Sequence, residues 1–422
     1  MAANQVKPEA MLSPYRVLDL TDEKGFLCGR ILGDLGADVV KIERPGGDPS
    51  RNIGPFYRSD KDPEKSLYWW AYNCNKRGIT LDIETEDGKE ILKKLIEKSD
   101  VIIESFHPGY MDRIGLGYTK LSEINPRIIM TSITPFGQNG PYKDFANSDL
   151  TVWGMGGLMF YCGDQDRAPV TVSFPQACLH AGSAAAQGTM IALYHQQLTG
   201  EGQLVDVSML ESLVGNLMHI RPFWELNGTQ LHRAGQFRVD IWGTGAVARM
   251  IWPCKDGYVM FSIMGGATGA PSNRALVKWM EEEGMILDDT VKRDWEALDM
   301  HTATQEDFDR LQQPIAEFFK QHTQSELYQG ALKRGIMFCQ VNTAKEIAED
   351  PQLKARGFWQ QVRHQELGME VKYPGSFMRL SSAGSGIRCC APLVGEHNVD
   401  IYCRELGFSE SEIASLKQAK VI

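Results

Sequence analysis

The first 135 residues alternate between two hydrophobic rhythms. Tyr15-Arg16-Val17-Leu18-Asp19-Leu20 is a short, mostly apolar run ending in Thr21-Asp22, the pattern of a buried strand. Phe26, Leu27, Ile31, Leu32 and Leu35 then recur at helical spacing, with Gly36 placed to cap the helix. Asp38-Val39-Val40-Lys41-Ile42-Glu43 is a second strand, so the opening reads as a βαβ unit. A helical pattern from about Asp87 to Lys98 continues it, followed by strands at Val101-Ile102-Ile103 and Ile128-Ile129-Met130. Strands separated by helices predict an α/β fold with a parallel, doubly wound sheet, because parallel neighbours need a crossover between them. No GxGxxG follows the first strand, which argues against a standard dinucleotide site.

From about Ala177 to Leu198 the pattern predicts a long helix rich in small residues: Ala181, Gly182, Ser183, Ala184, Ala185, Ala186 and Gly188. A helix so poor in bulk must be closely approached by another backbone, within the domain or across a dimer. The turn Thr199-Gly200-Glu201-Gly202-Gln203 and the strand Leu204-Val205-Asp206-Val207 follow. From about 225 to 330 the character changes. Gly-rich turns (Gly243-Thr244-Gly245, Gly265-Gly266) sit among short strands such as Tyr258-Val259-Met260-Phe261, and charged helices occupy Gln305 to Lys333. This predicts a second, smaller domain. Strand signals around Met369–Tyr373 and an acidic helix after Ser409 complete the chain.

Composition narrows the class. With 422 residues, 43% hydrophobic and 23% charged, the chain is globular with length enough for a large core. A net charge of −10 argues against nucleic acid as a partner, though a few arginines in one pocket can still hold an anion. No run approaches the roughly 18 apolar residues of a membrane span. The nine cysteines are scattered, without zinc-ligand or CxxC spacing, which fits free thiols in a reducing cytoplasm; no metal site is expected.

Five stretches identify a family. Val17-Leu18-Asp19-Leu20-Thr21, Leu35 through Glu43, Asn75-Lys76-Arg77-Gly78-Ile79-Thr80-Leu81-Asp82, Asn125-Pro126-Arg127-Ile128-Ile129 and Thr199 through Gln203 stand in the order and spacing of the class III CoA-transferases. That family includes formyl-CoA, carnitine-CoA and benzylsuccinate-CoA transferases and the α-methylacyl-CoA racemases. The resemblance implies a large Rossmann-like CoA-binding domain, residues 1–222, completed by a return segment, residues 336–422. Residues 223–335 then form a small α+β domain, and two chains interlock in a ring-like dimer. It also implies a reaction: an aspartate attacks an acyl-CoA thioester, giving a mixed anhydride, and the freed thiolate returns to give an enzyme-bound CoA thioester. The acceptor carboxylate then takes over the CoA. Coenzyme A enters as substrate, and no cofactor is bound covalently.

Carried over residue by residue, the resemblance assigns CoA contacts to Asp22, Arg44, Leu81, Phe106 and Arg113. Arg44 lies near the nucleotide, Leu81 against the adenine, Phe106 beside the CoA chain, and Arg113 on a phosphate, for which its planar donor fork is suited. Two lysines of the family pattern are replaced by Thr134 and Ala146, with Lys143 nearby as a substitute. Gly243-Thr244-Gly245 falls where the family has a mobile glycine loop over the active site. Asp149 matches an acidic position near the active site, with capping of a helix as its structural alternative.

The nucleophile is where the chain departs from the pattern. Counting back from Gly200, and forward from Asp166-Arg167-Ala168-Pro169, both reach Cys178 in Pro175-Gln176-Ala177-Cys178-Leu179-His180. No carboxylate lies between Arg167 and Glu201 to restore an aspartate by a slip in register. The start of a helix lowers a thiol pKa, but acyl transfer to cysteine gives a thioester and activates no carboxylate. The racemases have a histidine where Ser148 stands, and the acid–base pair they need at the α-carbon is missing. The resemblance therefore points to the non-nucleophilic subunit of a heteromeric succinyl-CoA:(R)-benzylsuccinate CoA-transferase. Its partner would be a paralogous, aspartate-bearing chain, in a heterodimer or heterotetramer. A CoA-binding scaffold without transfer role, and a stand-alone enzyme using Cys178, are the alternatives. Leu67-Tyr68-Trp69-Trp70-Ala71-Tyr72 and Trp153 are candidates for an aryl pocket, or for core packing.

Overall fold

The computed structural model describes residues 10–238 and 245–422. Six parallel strands build the main sheet: β1 (Arg16–Leu20), β2 (Asp38–Glu43), β3 (Lys76–Thr80), β4 (Val101–Glu104), β5 (Ile129–Thr134) and β6 (Leu204–Ser208). Their order is β3-β2-β1-β4-β5-β6. Helices cover both faces of such a sheet, so its inner strands are almost wholly buried: every residue of β4 and β5, and all but the first of β1 and β2. The strand order reverses direction between β1 and β4. Loops leaving these neighbours diverge there and open a crevice at the carboxyl ends of the strands.

The covering helices on the N-terminal side are α1 (Phe26–Asp34), α2 (Leu67–Asn73), α3 (Glu86–Ile96), α4 (Tyr110–Arg113) and α5 (Tyr118–Ile124). They are followed by α6 (Asp149–Met155), α7 (Ala177–Thr199) and α8 (Met209–Val214). The strand β3 was not among the elements read from the sequence. Lys76-Arg77-Gly78 lacks a strand's apolar signature, yet its charges are absorbed by the interior: Lys76 Nζ donates to Asp19 (2.7 Å), Asn73 (2.8 Å) and the Phe26 carbonyl (3.1 Å).

The small-residue face of α7 is spent inside the chain. A Cβ at Gly182 would stand 2.8 Å from the Leu27 Cβ, so glycine there is what lets α1 lie against α7. At the turn before β6, a Cβ on Gly202 would stand 2.0 Å from the Ile128 carbonyl oxygen.

The chain divides into two compact units. The first comprises Met1–Gly156, Ser173–Asn216 and Pro351–Ile422; the second comprises Gly157–Val172 and Leu217–Asp350. The boundaries differ from those read in the sequence, 222/223 and 335/336. They fall at 216/217 and 350/351, and Gly157–Val172 also belongs to the second unit. Turn-rich polar stretches blur such borders, because packing and not local pattern decides which unit claims them. The second unit holds α9 (Arg221–Asn227), a three-stranded antiparallel sheet of β7 (Ile251–Pro253), β8 (Tyr258–Phe261) and β9 (Phe338–Gln340), and α10 (Gly266–Glu282). It also holds α11 (Gln305–Gln321), α12 (Gln324–Arg334) and α13 (Ala344–Glu349). Trp252, Trp295, Phe318 and Phe319 anchor its own core. The C-terminal part of the first unit adds α14 (Pro351–Ala355), the hairpin β10 (Trp359–His364) and β11 (Met369–Pro374), a π-helical turn at Val399–Glu405, and α15 (Glu410–Gln418). Ile401, Tyr402, Ile413, Val421 and Ile422 pack into the same core as Leu18, Val40 and Ile79. Each such buried side chain contributes about 1.5–3 kcal/mol, so the last residues of the chain help hold the first strands.

Candidate active site

The crevice at the strand ends is lined by four of the five positions assigned to CoA. Asp22 follows β1, Arg44 follows β2, Leu81 follows β3 and Phe106 follows β4, around a cleft of about 190 Å³. Leu81 is 1% exposed and forms apolar floor. Arg44 is exposed and pairs with Glu84 at 3.2 Å, and Glu84 also accepts the Tyr110 hydroxyl at 2.7 Å. The Tyr110 ring lies against Phe106, centroids 4.6 Å apart, while the Arg113 guanidinium stands 5.2 Å from the Tyr110 centroid. Arg113 is thus coupled to the cleft through Tyr110 and Glu84. The Tyr110 hydrogen bond, followed by the Arg44 charge, holds the Glu84 carboxyl below its usual range. Glu84 and Tyr110 were not singled out in the sequence. Their signal was proximity, Glu84 three residues past Leu81 and Tyr110 one helical turn before Arg113. Asp22 accepts the Ser105 hydroxyl at 2.7 Å and pairs with Lys24, so its carboxylate is already satisfied. Thr134 is buried at the end of β5 and Lys143 is exposed. Of Gly243-Thr244-Gly245, the first two lie outside the described residues.

Cys178 occupies the second position of α7 and is 5% exposed. A helix start carries unsatisfied N–H groups and a positive end that stabilises anions. Here that end is already taken. One oxygen of Asp149 accepts the Cys178 backbone N–H at 3.0 Å and the other accepts the Gln176 N–H at 3.1 Å. Asp149 therefore caps α7 from outside, whereas the N-cap of its own helix is Ser148, in a capping box with Thr151. The effect on the thiol is opposite to the one expected from a bare helix start. Burial pushes the Cys178 thiol up, and the Asp149 charge and hydrogen bond, then Glu23 and Asp22, push it further. Cys178 is a protonated thiol at neutral pH, not an activated nucleophile.

The aromatic stretch divides by face. Trp69 and Trp70 are buried and donate their indole N–H groups to the carbonyls of Pro392 (3.1 Å) and Glu64 (2.9 Å). Tyr68 and Tyr72 are half-buried, ring centroids 4.9 Å apart, and both lie close enough to the Cys178 thiol to couple with it electrostatically. Trp153 is buried and stacks on His180, whose Nδ1 lies 3.2 Å from Asn216. The rings beside Cys178 are thus the two tyrosines, and the tryptophans belong to the core. His180 is a packed histidine. The same ends of β1 and α7 join the two places, since Asp22 lines the cleft and its charge reaches Cys178.

Comparison with known proteins meets this geometry along the whole chain. Residues 12–398 match the model of CoA-transferase family III. The chain is 34% identical over 409 residues to the succinyl-CoA:(R)-benzylsuccinate CoA-transferase subunit BbsE of Thauera aromatica, covering 96% of each. It is 31% identical over 419 residues to the succinyl-CoA–D-citramalate CoA-transferase of Chloroflexus aurantiacus, covering 99% of each. A CAIB/BAIF family protein from Brucella suis has the same fold, with a TM-score of 0.80 at 28% identity over 94% of this chain and 99% of that one. With the six-stranded sheet, the crevice at its switch point and the family match running almost from end to end, the chain belongs to CoA-transferase family III.

Proposed function

We propose that this chain is the non-nucleophilic subunit of a heteromeric class III CoA-transferase that moves CoA from succinyl-CoA to a carboxylic acid such as (R)-2-benzylsuccinate. The observation that carries the reading is Cys178, which stands in the family's aspartate slot with its helix end neutralised by Asp149. A paralogous partner supplies the aspartate, forms the anhydride and carries the CoA thioester. The likeness to a named subunit of a benzylsuccinate enzyme supports both the heteromer and the substrate pair. CoA lies along the cleft, its adenine on Leu81 and its phosphates toward Arg44 and Arg113; the two chains interlock.

Covalent trapping tests this. The complex co-purified from source cells is incubated with succinyl-CoA, quenched with hydroxylamine or borohydride, and digested. Modification is expected on an aspartate of the partner and not on peptides containing Cys178. Turnover-dependent acylation of Cys178 overturns the subunit reading in favour of a cysteine enzyme. Robust transfer by the purified homomer overturns it as well.

A further inference from the structure

The β10–β11 hairpin carries a cluster that CoA transfer leaves unused. His364 ends β10, Glu366 lies in the turn, and Cys390 comes from the later segment that packs with the hairpin. One ligand atom from each, an imidazole nitrogen, a carboxylate oxygen and a thiol sulfur, all lie within 4.8 Å of one another. His364 is 0% exposed, and its ring is held from several sides. Nε2 lies 2.8 Å from the Tyr373 hydroxyl, Nδ1 lies 2.7 Å from Glu366 Oε1, and the Trp70 ring centroid is 4.5 Å away. An imidazole held through one nitrogen, with the other on a carboxylate, is how proteins orient a metal-binding histidine.

We propose that His364, Glu366 and Cys390 form a binding site for a thiophilic divalent cation, Zn²⁺, with its remaining coordination position open to water. Zinc takes nitrogen, sulfur and oxygen ligands together, at about 2.0–2.3 Å. The observed spacing needs only a small contraction, which Glu366 can supply from its turn. On binding, the ring proton moves from Nδ1 to Nε2 by exchange with solvent, so that Nδ1 and the Glu366 carboxylate, freed of their hydrogen bond, each bond the metal and Nε2–H donates to the Tyr373 hydroxyl oxygen. The S–H bond breaks as the Zn–S bond forms, and its proton leaves to solvent. The cation then ties the hairpin turn to a segment over twenty residues away in sequence, in the part of the fold that also packs Trp69, Trp70 and Cys74. A simple hydrogen-bonded His–Glu pair is the alternative that the test must separate.

The full-length chain, stripped with chelator, is titrated with Co²⁺ as a spectroscopic probe and then with Zn²⁺. Expected are a thiolate-to-cobalt charge-transfer band saturating at one equivalent, its loss on adding Zn²⁺, and a higher Tm with Zn²⁺ than without, since the cation binds the folded state. Cys390→Ser should abolish the band and Glu366→Gln should weaken Co²⁺ binding at least ten-fold, while the neighbouring Cys389→Ser leaves both intact. These side chains are only partly buried or exposed, so the test does not depend on replacing the buried His364. Absence of the band in the wild-type chain, or its persistence in Cys390→Ser, overturns the proposal.

Discussion

Asp149 shows how one carboxylate can decide the chemistry of a neighbour. It takes two N–H groups at the start of α7 and so removes the positive end that would otherwise favour a thiolate at Cys178. Replacing it with Asn keeps an acceptor for one N–H but removes the negative charge, so the Cys178 pKa should fall. The expected outcome is slow alkylation of Cys178 by iodoacetamide at pH 8 in the wild-type chain and several-fold faster alkylation in Asp149→Asn, read by peptide mass spectrometry. Equal rates would show that burial alone silences the thiol. A second carboxylate, Asp19, works by the opposite balance. Burial raises its pKa, but Lys76 and Lys41 outweigh that and hold the carboxyl below its usual range. Asp19 and Lys76 are both 0% exposed at their side chains. Removing one charge strands the other in the interior, so Lys76→Met should cost about 3–5 kcal/mol in denaturant unfolding.

At the scale of elements, the end of β4 contains a group poised to titrate. Glu104 is 2% exposed, accepts the Phe106 N–H at 2.7 Å, and is raised by burial to about 7 despite its bond with Ser132. From about pH 4.5 to 7 the unfolded chain releases this proton while the folded chain keeps it, so stability falls as pH rises and the loss is complete above 7. Glu104→Gln should remove up to about 3 kcal/mol of that slope and stabilise the chain at pH 8; parallel slopes for both proteins would place the titration elsewhere. Beside the cleft, Arg113→Ala should weaken CoA binding by about 1–3 kcal/mol, the cost of a lost charge-assisted hydrogen bond. Unchanged calorimetric affinity would mean that the nucleotide binds elsewhere. On α7, Ile191, Tyr194 and Leu198 are 65–70% exposed at helical spacing, an apolar stripe on the side away from α1. Ile191→Asp with Leu198→Asp should lower affinity for the partner chain at least 100-fold with little change in Tm, measured by pull-down and thermal unfolding.

For the whole molecule, the proposed subunit role requires that surfaces of this chain complete another chain's site. Several small residues of α7 are already buried within the chain, Gly182 against α1 among them, while the bulky Ile191, Tyr194 and Leu198 are left exposed. Among the described residues no helix is long and apolar enough to cross a membrane. Expressed without its partner, the chain should bind CoA yet show negligible transfer between succinyl-CoA and any dicarboxylate. Transfer at rates typical of enzymes would mean that the chain carries its own nucleophile.

Much of this was legible in the residues themselves. Period-2 and period-3.6 patterns mark β1, β2, β4, α1 and α7 because burial of one face is a local constraint that each segment must satisfy. The motif stretches carry the family because several of their charged members, Asp19, Lys41, Glu43 and Lys76, are buried in the structure and therefore demand fixed partners. The proposed placing of Cys178 in the aspartate slot also comes from the sequence, since counting along the chain needs no fold. Tertiary structure alone decided what surrounds that slot. Asp149 is 29 residues from Cys178 and the tyrosines of α2 lie more than 100 residues before it, so neither the blocked helix end nor the raised thiol pKa has a local signature. The same holds for β3, whose charges look soluble until Asp19 is seen beside them, and for His364, Glu366 and Cys390, which only the folded chain brings together. Electrostatics act through space, and the chain order does not record which groups meet there.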